Sequence, residues 1–199
     1  MNKLKKIFWL QSIFSEDFVN KSTAVSPAAN IWQYNFIKKL KKLNTEIYCV
    51  GHNYERAFPN GKLFVKTKKK NLVKEFKNKS VDYLNLPYLR NFILKKKYYD
   101  FLKNLDFQKG DIIVTYNDSF LSEVALKIKN KFNVPWISIV ADLKAPKDAN
   151  GYVYFNWVYY QKNQNNNAIH IDGGVNLKSL NVQNKKKSIK KKLFYTQVQ

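Results

Sequence analysis

The sequence predicts an α/β fold with a Rossmann-like, doubly wound parallel sheet. Short apolar segments alternate along the chain with segments that have the 3.6-residue period of amphipathic helices, as in βαβ units. Two apolar runs, 112–114 and 137–140, are nearly continuous, as in parallel strands that are buried on both faces. Hydrophobic residues make up 45% of the 199 residues, which excludes a disordered chain and allows a buried core.

The first half of the chain predicts one βαβ unit and a further short strand. Strands 6–11 and 46–51 flank a helix that begins at Pro27, with Ser26 as its N-cap and Asn44 as its stop. The apolar face predicted for this helix comprises Ala29, Trp32, Phe36, Leu40 and Leu43. We expect 12–26 to be irregular and 63–65 to be a strand, whereas the lysine-rich stretch 66–79 permits no assignment.

The second half predicts two more helices and four more strands. A helix follows Pro87, with Leu89, Phe92, Ile93, Phe101 and Leu102 as its apolar positions, and ends before Gly110. The predicted strands cover 111–116, 135–141, 151–155 and 168–171. A helix is predicted between the first two of these strands, with its N-cap within 117–119 and its end at about 132. Its inward-facing residues are Leu121, Val124, Ala125 and Ile128. A helical turn follows 155.

We expect one domain over 1–180 and a lysine-rich linker over 181–192. The segment 193–199 is predicted to be the first strand of a truncated second domain.

The chain is strongly basic, with 36 Lys and Arg against 14 Asp and Glu and a net charge of +22. Only Arg56 and Arg90 are arginines, and frequent Lys and Asn are also typical of AT-rich coding sequence. Because proteins that recognise bases favour arginine, nucleic acid is not the expected partner. An anionic membrane surface or an anionic substrate fits the lysines better.

Cys49 is the single cysteine, so an internal disulfide is excluded and a reducing compartment is expected. Cys49 and His170 each lie within an apolar strand and are interpreted as core residues. The sequence contains no apolar run of about 18 residues, so we expect a cytoplasmic protein, peripheral at the inner face of the membrane.

Ligands of open α/β sheets bind at the carboxyl ends of the strands, which directs attention to the loops 12–26, 52–60, 116–119 and 142–150. The glycine-rich loops of NAD enzymes and P-loop nucleotidases are absent from the sequence, and so is the G-x-S-x-G of hydrolases. With two separated histidines and one cysteine, we expect no metal site.

Five residues are candidates for lining a cleft, and each has a structural alternative. Asp142 ends strand 135–141 and is either a ligand hydroxyl acceptor or a turn cap. Asn117, Thr23 and Asn30 lie near helix starts, where ordinary capping is the alternative to ligand binding. His52 follows strand 46–51 and is predicted to face the cleft or to be structural.

Six aromatic residues are concentrated between 152 and 160: Tyr152, Tyr154, Phe155, Trp157, Tyr159 and Tyr160. They form either a surface on which sugars or bases stack or the packing of a strand against a helix, and we favour packing.

Several segments together resemble the N-terminal half of a GT-B glycosyltransferase of the family-4 type. The first strand with its polar loop and the helix that begins at Pro27 are two of them. The others are 110–117 (GDIIVTYN), 133–142 (NVPWISIVAD), 148–156 (DANGYVYFN), 170–175 (HIDGGV) and 192–196 (KLFYT). Their order and spacing carry the resemblance. Two positions depart from the pattern: Ala141 stands where many relatives carry histidine, and Gln197 where the second domain usually supplies glycine.

The resemblance implies transfer of a sugar, with retention, from a nucleotide diphosphate sugar to the hydroxyl of a sugar or lipid-linked acceptor. This chain would be the acceptor-side half, and the missing second domain would hold the nucleotide sugar. The resemblance implies no cofactor and no metal, and it assigns no catalytic residue within this half. The alternative is a non-catalytic Rossmann-like binding module for an anionic ligand or nucleic acid.

Overall fold

The computed structural model describes residues 5–43, 45–164 and 167–171. The strands are β1 Lys6–Trp9, β2 Glu46–Gly51, β3 Phe64–Val65, β4 Lys77–Ser80, β5 Tyr83–Leu84, β6 Ile112–Tyr116, β7 Trp136–Val140, β8 Gly151–Tyr154 and β9 Ala168–His170. The helices are α1 Glu16–Lys21, α2 Pro27–Lys41, α3 Arg90–Lys103, α4 Ser119–Phe132 and α5 Trp157–Lys162. A single 3₁₀ turn covers Lys69–Asn71.

Seven strands form one parallel sheet in the order β4-β2-β1-β6-β7-β8-β9. The chain starts at the centre with β1, builds outward on one side through β2 and β4, and then crosses to β6 and continues to β9. This is the doubly wound Rossmann-like order, and the predicted fold class is confirmed. Strands β3 and β5 form a separate antiparallel pair.

The two faces of the sheet have separate cores. Helices α3 and α4 cover one face, where Tyr98, Leu121 and Trp136 are fully buried. Helix α2 covers the other face, where Trp9 and Ile37 are fully buried. The inward line predicted for α4 is confirmed, since Leu121, Val124, Ala125 and Ile128 are all buried. Cys49 is a core residue as expected, and burial raises the pKa of its thiol to about 12.

The apolar faces predicted for α2 and α3 are only partly correct. Ala29, Trp32, Phe36 and Leu40 are half-buried against the core of α2's side, but Leu43 is 70% exposed. The fully buried line of α2 is instead Asn30, Gln33 and Ile37. In α3 the buried residues are Leu94, Tyr98 and Leu102, whereas Leu89 and Phe92 are 52% and 69% exposed.

Four elements lie where the sequence predicts none: α1, the 3₁₀ turn, β4 and β5. Segment 12–26 contains α1, whose Val19 packs with Phe14 and Leu72. The unassigned stretch 66–79 contains the 3₁₀ turn and most of β4, which pairs with β2. The predicted stop Asn44, the linker 181–192 and the strand within 193–199 lie outside the described residues. No helix in the described ranges is long and apolar enough to cross a bilayer.

Candidate functional site

The carboxyl ends of the parallel strands meet at one edge of the sheet, which we call the carboxyl edge. The strand order reverses between β1 and β6, and the loops that follow these two strands separate there. In open α/β folds this switch point is the usual place for a ligand. The residues after β1, β2, β6 and β7 therefore define the candidate site.

The loop after β1 packs tightly against the end of β2. A Cβ on Gly51 would lie 2.0 Å from the backbone nitrogen of Ser12, so only glycine permits this approach. Beside it, Gln11 Nε2 donates a 2.6 Å hydrogen bond to the hydroxyl of Tyr54. Gln11 Oε1 is buried without a hydrogen-bond partner among the described residues, although buried acceptors are normally paired.

His52 follows β2 but is buried beneath the carboxyl edge, with 4% of its surface exposed. Its Nδ1 lies 2.8 Å from the hydroxyl of Tyr98, and Tyr54, Tyr83 and Phe120 surround the ring. Burial, and secondarily the charge of Arg90, lowers the pKa of His52 to about 4. His52 is therefore a neutral interior group and does not line an open cleft.

Asn117 organises the loop after β7. It follows β6 with a left-handed backbone, φ 43°, a conformation that Asn tolerates. Its Oδ1 accepts hydrogen bonds from the backbone N–H groups of Ala141, Asp142 and Leu143, each at 3.1 Å. We call this arrangement the Asn117 clamp. The side-chain oxygen of Asn117 is therefore occupied by hydrogen bonds within the chain, and these bonds fix the backbone position of Asp142.

Asp118 caps α4, as one of the predicted alternatives for 117–119 requires. Its Oδ1 accepts a 3.1 Å hydrogen bond from the backbone N–H of Leu121. Burial raises the pKa of the Asp118 carboxyl, although hydrogen bonds from the backbone of Leu121 and Phe120 partly oppose that rise. The helix N-terminus is thus already occupied by a carboxylate.

Asp142 is exposed at the carboxyl end of β7, as predicted. The pKa of the Tyr116 phenol is raised mainly by burial, and the nearby negative charge of Asp142 is the second cause. A cavity of about 280 Å³ beside α4 is lined by Asn117, Ser138, Lys144 and Lys147 among others, but Asp142 does not line it. An exposed carboxylate is able to accept hydrogen bonds from hydroxyl groups.

The two remaining candidates differ in burial. Asn30 is 7% exposed, and its side chain pairs with Phe14: Oδ1 accepts from the backbone N–H at 2.9 Å, and Nδ2 donates to the carbonyl at 3.0 Å. It therefore anchors the loop after β1 to α2. Thr23 is exposed in the bend before α2. Of the five candidates, the structure brings Asn117 and Asp142 into direct contact.

Sequence reasoning missed the lysines of the β7–β8 connection and the pairing of Gln11 with Tyr54. Lys144 and Lys147 line the cavity because 142–150 crosses the sheet without forming a helix. Pro146 within that short segment was the available signal.

No family model, characterised protein or solved structure matches this chain. The resemblance to glycosyltransferases therefore depends on the sequence segments alone. Within the described ranges, no three His, Cys, Asp or Glu side chains converge in a way that would hold a metal ion.

A second surface combines exposed aromatic residues with lysines. Tyr88, Leu89 and Phe92 surround the start of α3 and are 100%, 52% and 69% exposed. Beside them, a groove of about 680 Å³ runs between α3 and α4. Its basic and aromatic lining comprises Phe92, Lys95, Lys96, Tyr99, Lys127 and Lys131. We call this surface the α3–α4 face.

The aromatic segment 152–160 is divided between core and surface. Tyr154 is 1% exposed and Phe155 packs 4.3 Å, between ring centroids, from Trp32, as the packing interpretation expects. Trp157 and Tyr159, however, are 51% and 37% exposed.

Proposed function

We propose that this chain is the acceptor-side half of a retaining glycosyltransferase, which moves a sugar from a nucleotide diphosphate sugar to an acceptor hydroxyl. The main support is the position of Asp142. It is an exposed carboxylate at the carboxyl end of β7, in a doubly wound sheet, within one of the segments that together resemble the glycosyltransferase pattern.

Under this proposal Asp142 orients the acceptor. Its carboxylate accepts a hydrogen bond from an acceptor hydroxyl, and the Asn117 clamp holds the backbone from which it projects. Orientation of this kind lowers the barrier because the reacting groups are already placed for attack. The nucleotide sugar would be bound mainly by a second domain, where charge develops on the leaving diphosphate. This half would supply one wall of the cleft and no resident cofactor.

A non-catalytic binding module is the second candidate. The polar side chains of Asn30, His52 and Asn117 all bond to groups of the chain itself, which favours a scaffold that positions few reactive groups. The two candidates differ in what Asp142 does, since a binding module would need no oriented hydroxyl.

The experiment is a transfer assay on the product of the complete reading frame, read through codon 199. Asp142→Asn should lower turnover by roughly tenfold to a thousandfold, about 1.4 to 4 kcal/mol of barrier, with an unchanged thermal midpoint. Asp106→Asn, which alters an exposed carboxylate in the loop before β6, is the matched control and should leave turnover intact. Equal turnover of the Asp142 variant and the control would remove Asp142 from the site, and no transfer by the unaltered protein would favour the binding module.

We further propose that the α3–α4 face docks on an anionic membrane, where lipid-linked acceptors would lie. Exposed aromatic side chains insert at the headgroup level, and neighbouring lysines are attracted by anionic lipids. The described residues of the groove include Glu123 as an acid, and it already pairs with Lys95 at 2.5 Å. The net charge of the lining is therefore positive.

Vesicle sedimentation tests this docking. The chain should bind vesicles that contain 30% phosphatidylserine, should leave phosphatidylcholine vesicles unbound, and should be released by salt because exposed charges are screened over about 10 Å at 0.1 M. Phe92→Ser should weaken binding, whereas Leu43→Ser, which alters an equally exposed apolar side chain in the turn after α2, should not. Equal binding to both kinds of vesicle, or equal effects of the two variants, would contradict the proposal.

A further inference from the structure

The connection between β7 and β8 is unusual for a parallel sheet because it contains no helix. Parallel neighbours are normally joined by a helical crossover that covers the sheet. Here residues 142–150, which we call the strap, cross between α4 and α5 as irregular chain. The strap is thinner than a helix, and a cavity lies on each side of it.

The cavity beside α4 is the 280 Å³ space described above, and the cavity beside α5 measures about 890 Å³. Lys144, Pro146 and Lys147 line both cavities, so the middle of the strap separates them. We call the larger cavity the strap groove. Its volume is near the upper end of the range of about 300–1,000 Å³ that small-molecule sites occupy.

Hydrogen bonds hold the strap at its two ends. At one end the Asn117 clamp takes the N–H groups of 141–143. At the other end, Asn150 exchanges two hydrogen bonds with the backbone of Trp136, at 2.8 and 3.0 Å, and Tyr152 accepts from Ala149 N–H at 3.1 Å. The lysines of the middle are thus presented from a segment with fixed ends.

The strap groove has a basic and hydroxyl-rich lining. Its side chains are Lys144, Lys147, Lys162, Tyr152, Tyr154, Tyr159, Asn163 and Gln164, with Asp148 as the acidic member. Among the ion pairs of the described ranges, none involves these three lysines. Two positive charges therefore remain in excess even if Asp148 neutralises one, and an anionic ligand complements them.

The aromatic geometry distinguishes between anionic ligands. Tyr154 is 1% exposed, and Tyr152 stacks on it with ring centroids 6.0 Å apart and planes 21° apart. Single-stranded nucleic acid stacks successive bases on open ring faces. This pair does not offer such faces, and Tyr159, which is 37% exposed, adds only a single ring. Unlike the α3–α4 face, the strap groove has no Phe or Leu in its lining that could enter a bilayer. Amide side chains and tyrosines suit a ligand that is rich in hydroxyl groups.

From the lysines, the amides and the shape of the groove we infer that the strap groove binds an anionic saccharide, with Lys144, Lys147 and Lys162 on its acidic groups. As a statement about the acceptor class, the inference rests on the proposed glycosyl transfer. The binding itself needs no transfer, so it can be measured whether or not the chain belongs to an enzyme.

Calorimetric titration of the full 199-residue chain at 0.15 M salt tests the inference with three probes of equal length: hyaluronan hexasaccharide, neutral chitohexaose and the oligonucleotide dT6. Hyaluronan hexasaccharide should bind at least about tenfold more tightly than either of the others, since charge-assisted hydrogen bonds are the stronger ones. Equal or tighter binding of chitohexaose or dT6, or no binding of the hyaluronan probe, would overturn the inference.

A matched pair of triple variants locates the binding. Lys144→Gln, Lys147→Gln and Lys162→Gln together should weaken hyaluronan binding by about tenfold or more. Lys39→Gln, Lys42→Gln and Lys70→Gln together remove the same charge from exposed positions elsewhere and should weaken it less than about twofold. Unchanged thermal midpoints verify that both fold. Equal losses in the two variants would show general attraction and overturn the site. Failure of the transfer assay with intact hyaluronan binding would reject the enzyme and keep the groove.

Discussion

At the residue scale, a few polar side chains shape the carboxyl edge by bonding to the chain itself. Asn117 gathers three backbone N–H groups, Asn30 satisfies both backbone groups of Phe14, and His52 lies against Tyr98 in the interior. In each case the side chain takes the place of a water molecule that would otherwise form a hydrogen bond with the backbone group or the hydroxyl. The site therefore depends on residues that a ligand would not touch.

The Asn117 clamp should contribute measurably to stability. Asn117→Ala removes the acceptor of three N–H groups and places alanine at φ 43°, so it should lower the free energy of unfolding by about 2 kcal/mol. Asn117→Asp keeps an oxygen in the same place and should cost less than about 1 kcal/mol. Urea unfolding of both variants measures this, and equal losses would show that the clamp is not the cause.

The buried His52 should make the fold sensitive to acid. Its pKa is about 4 in the folded state and near 6.5 in the unfolded chain, so protons bind the unfolded chain preferentially. The stability is complete above pH 6.5 and falls by about 3 kcal/mol as the pH drops to 4. Carboxylates also titrate there, so the measurement is the difference in pH dependence between the unaltered chain and His52→Gln. Parallel curves would contradict the low pKa.

At the element scale, the apolar patterns predicted the apolar strands and the amphipathic helix α4 correctly. They were less successful in predicting which faces of α2 and α3 are buried. Strands β2, β6 and β7 are apolar runs, and α4 has an uninterrupted inward line. Strand β4, by contrast, has the sequence KNKS and is a strand only because it pairs with β2. No local pattern carries that pairing.

The buried face of α2 shows why its prediction was incomplete. Gln33 is 3% exposed, yet its Oε1 accepts a 2.9 Å hydrogen bond from the indole N–H of the fully buried Trp9. Helical periodicity assigns a glutamine to the solvent-exposed face, because the pattern contains no information about a distant hydrogen-bond partner such as Trp9. The same limit applies to the burial of His52, because its neighbours Tyr83, Tyr98 and Phe120 come from distant segments. The position of Asp142, by contrast, was predictable because it directly follows an apolar strand.

A double-mutant cycle tests this contact between α2 and β1. Gln33→Leu leaves the Trp9 N–H buried without a partner and should cost about 1–3 kcal/mol of unfolding free energy. In the background of Trp9→Phe, which removes the donor, the same change should cost about 1 kcal/mol less. Additive costs in urea unfolding would show that the hydrogen bond does not stabilise the packing of the helix.

At the scale of the whole molecule, charge dominates. A net charge of +22 on 199 residues is self-repulsive, and the four ion pairs of the described ranges neutralise only part of it. The lysines cover the exposed side of α2 as well as the α3–α4 face and the strap groove. The whole surface therefore attracts anions, and a specific binding site is distinguished from the rest of the surface by its shape.

Salt should stabilise this protein. Screening shortens the range of repulsion from about 30 Å at 0.01 M to about 3 Å at 1 M, so the thermal midpoint should rise as sodium chloride is added. Lys39→Glu with Lys42→Glu lowers the net charge by four and should show a smaller rise. A midpoint that is constant or falls with salt in the unaltered chain would contradict the repulsion.

Strand β4 gives these lysines a further consequence. As the outermost strand on one side of the sheet, it carries backbone groups that a second copy of the protein could pair with, which is how folded sheets begin to aggregate. The strand is four residues long, and Lys77 and Lys79 are exposed along it. Lys77 pairs with Glu46 of β2, but Lys79 is in none of the ion pairs of the described residues, so two copies that met there would bring their Lys79 charges together. A composition that is typical of AT-rich coding sequence thus protects the open edge of the sheet against growth into fibrils.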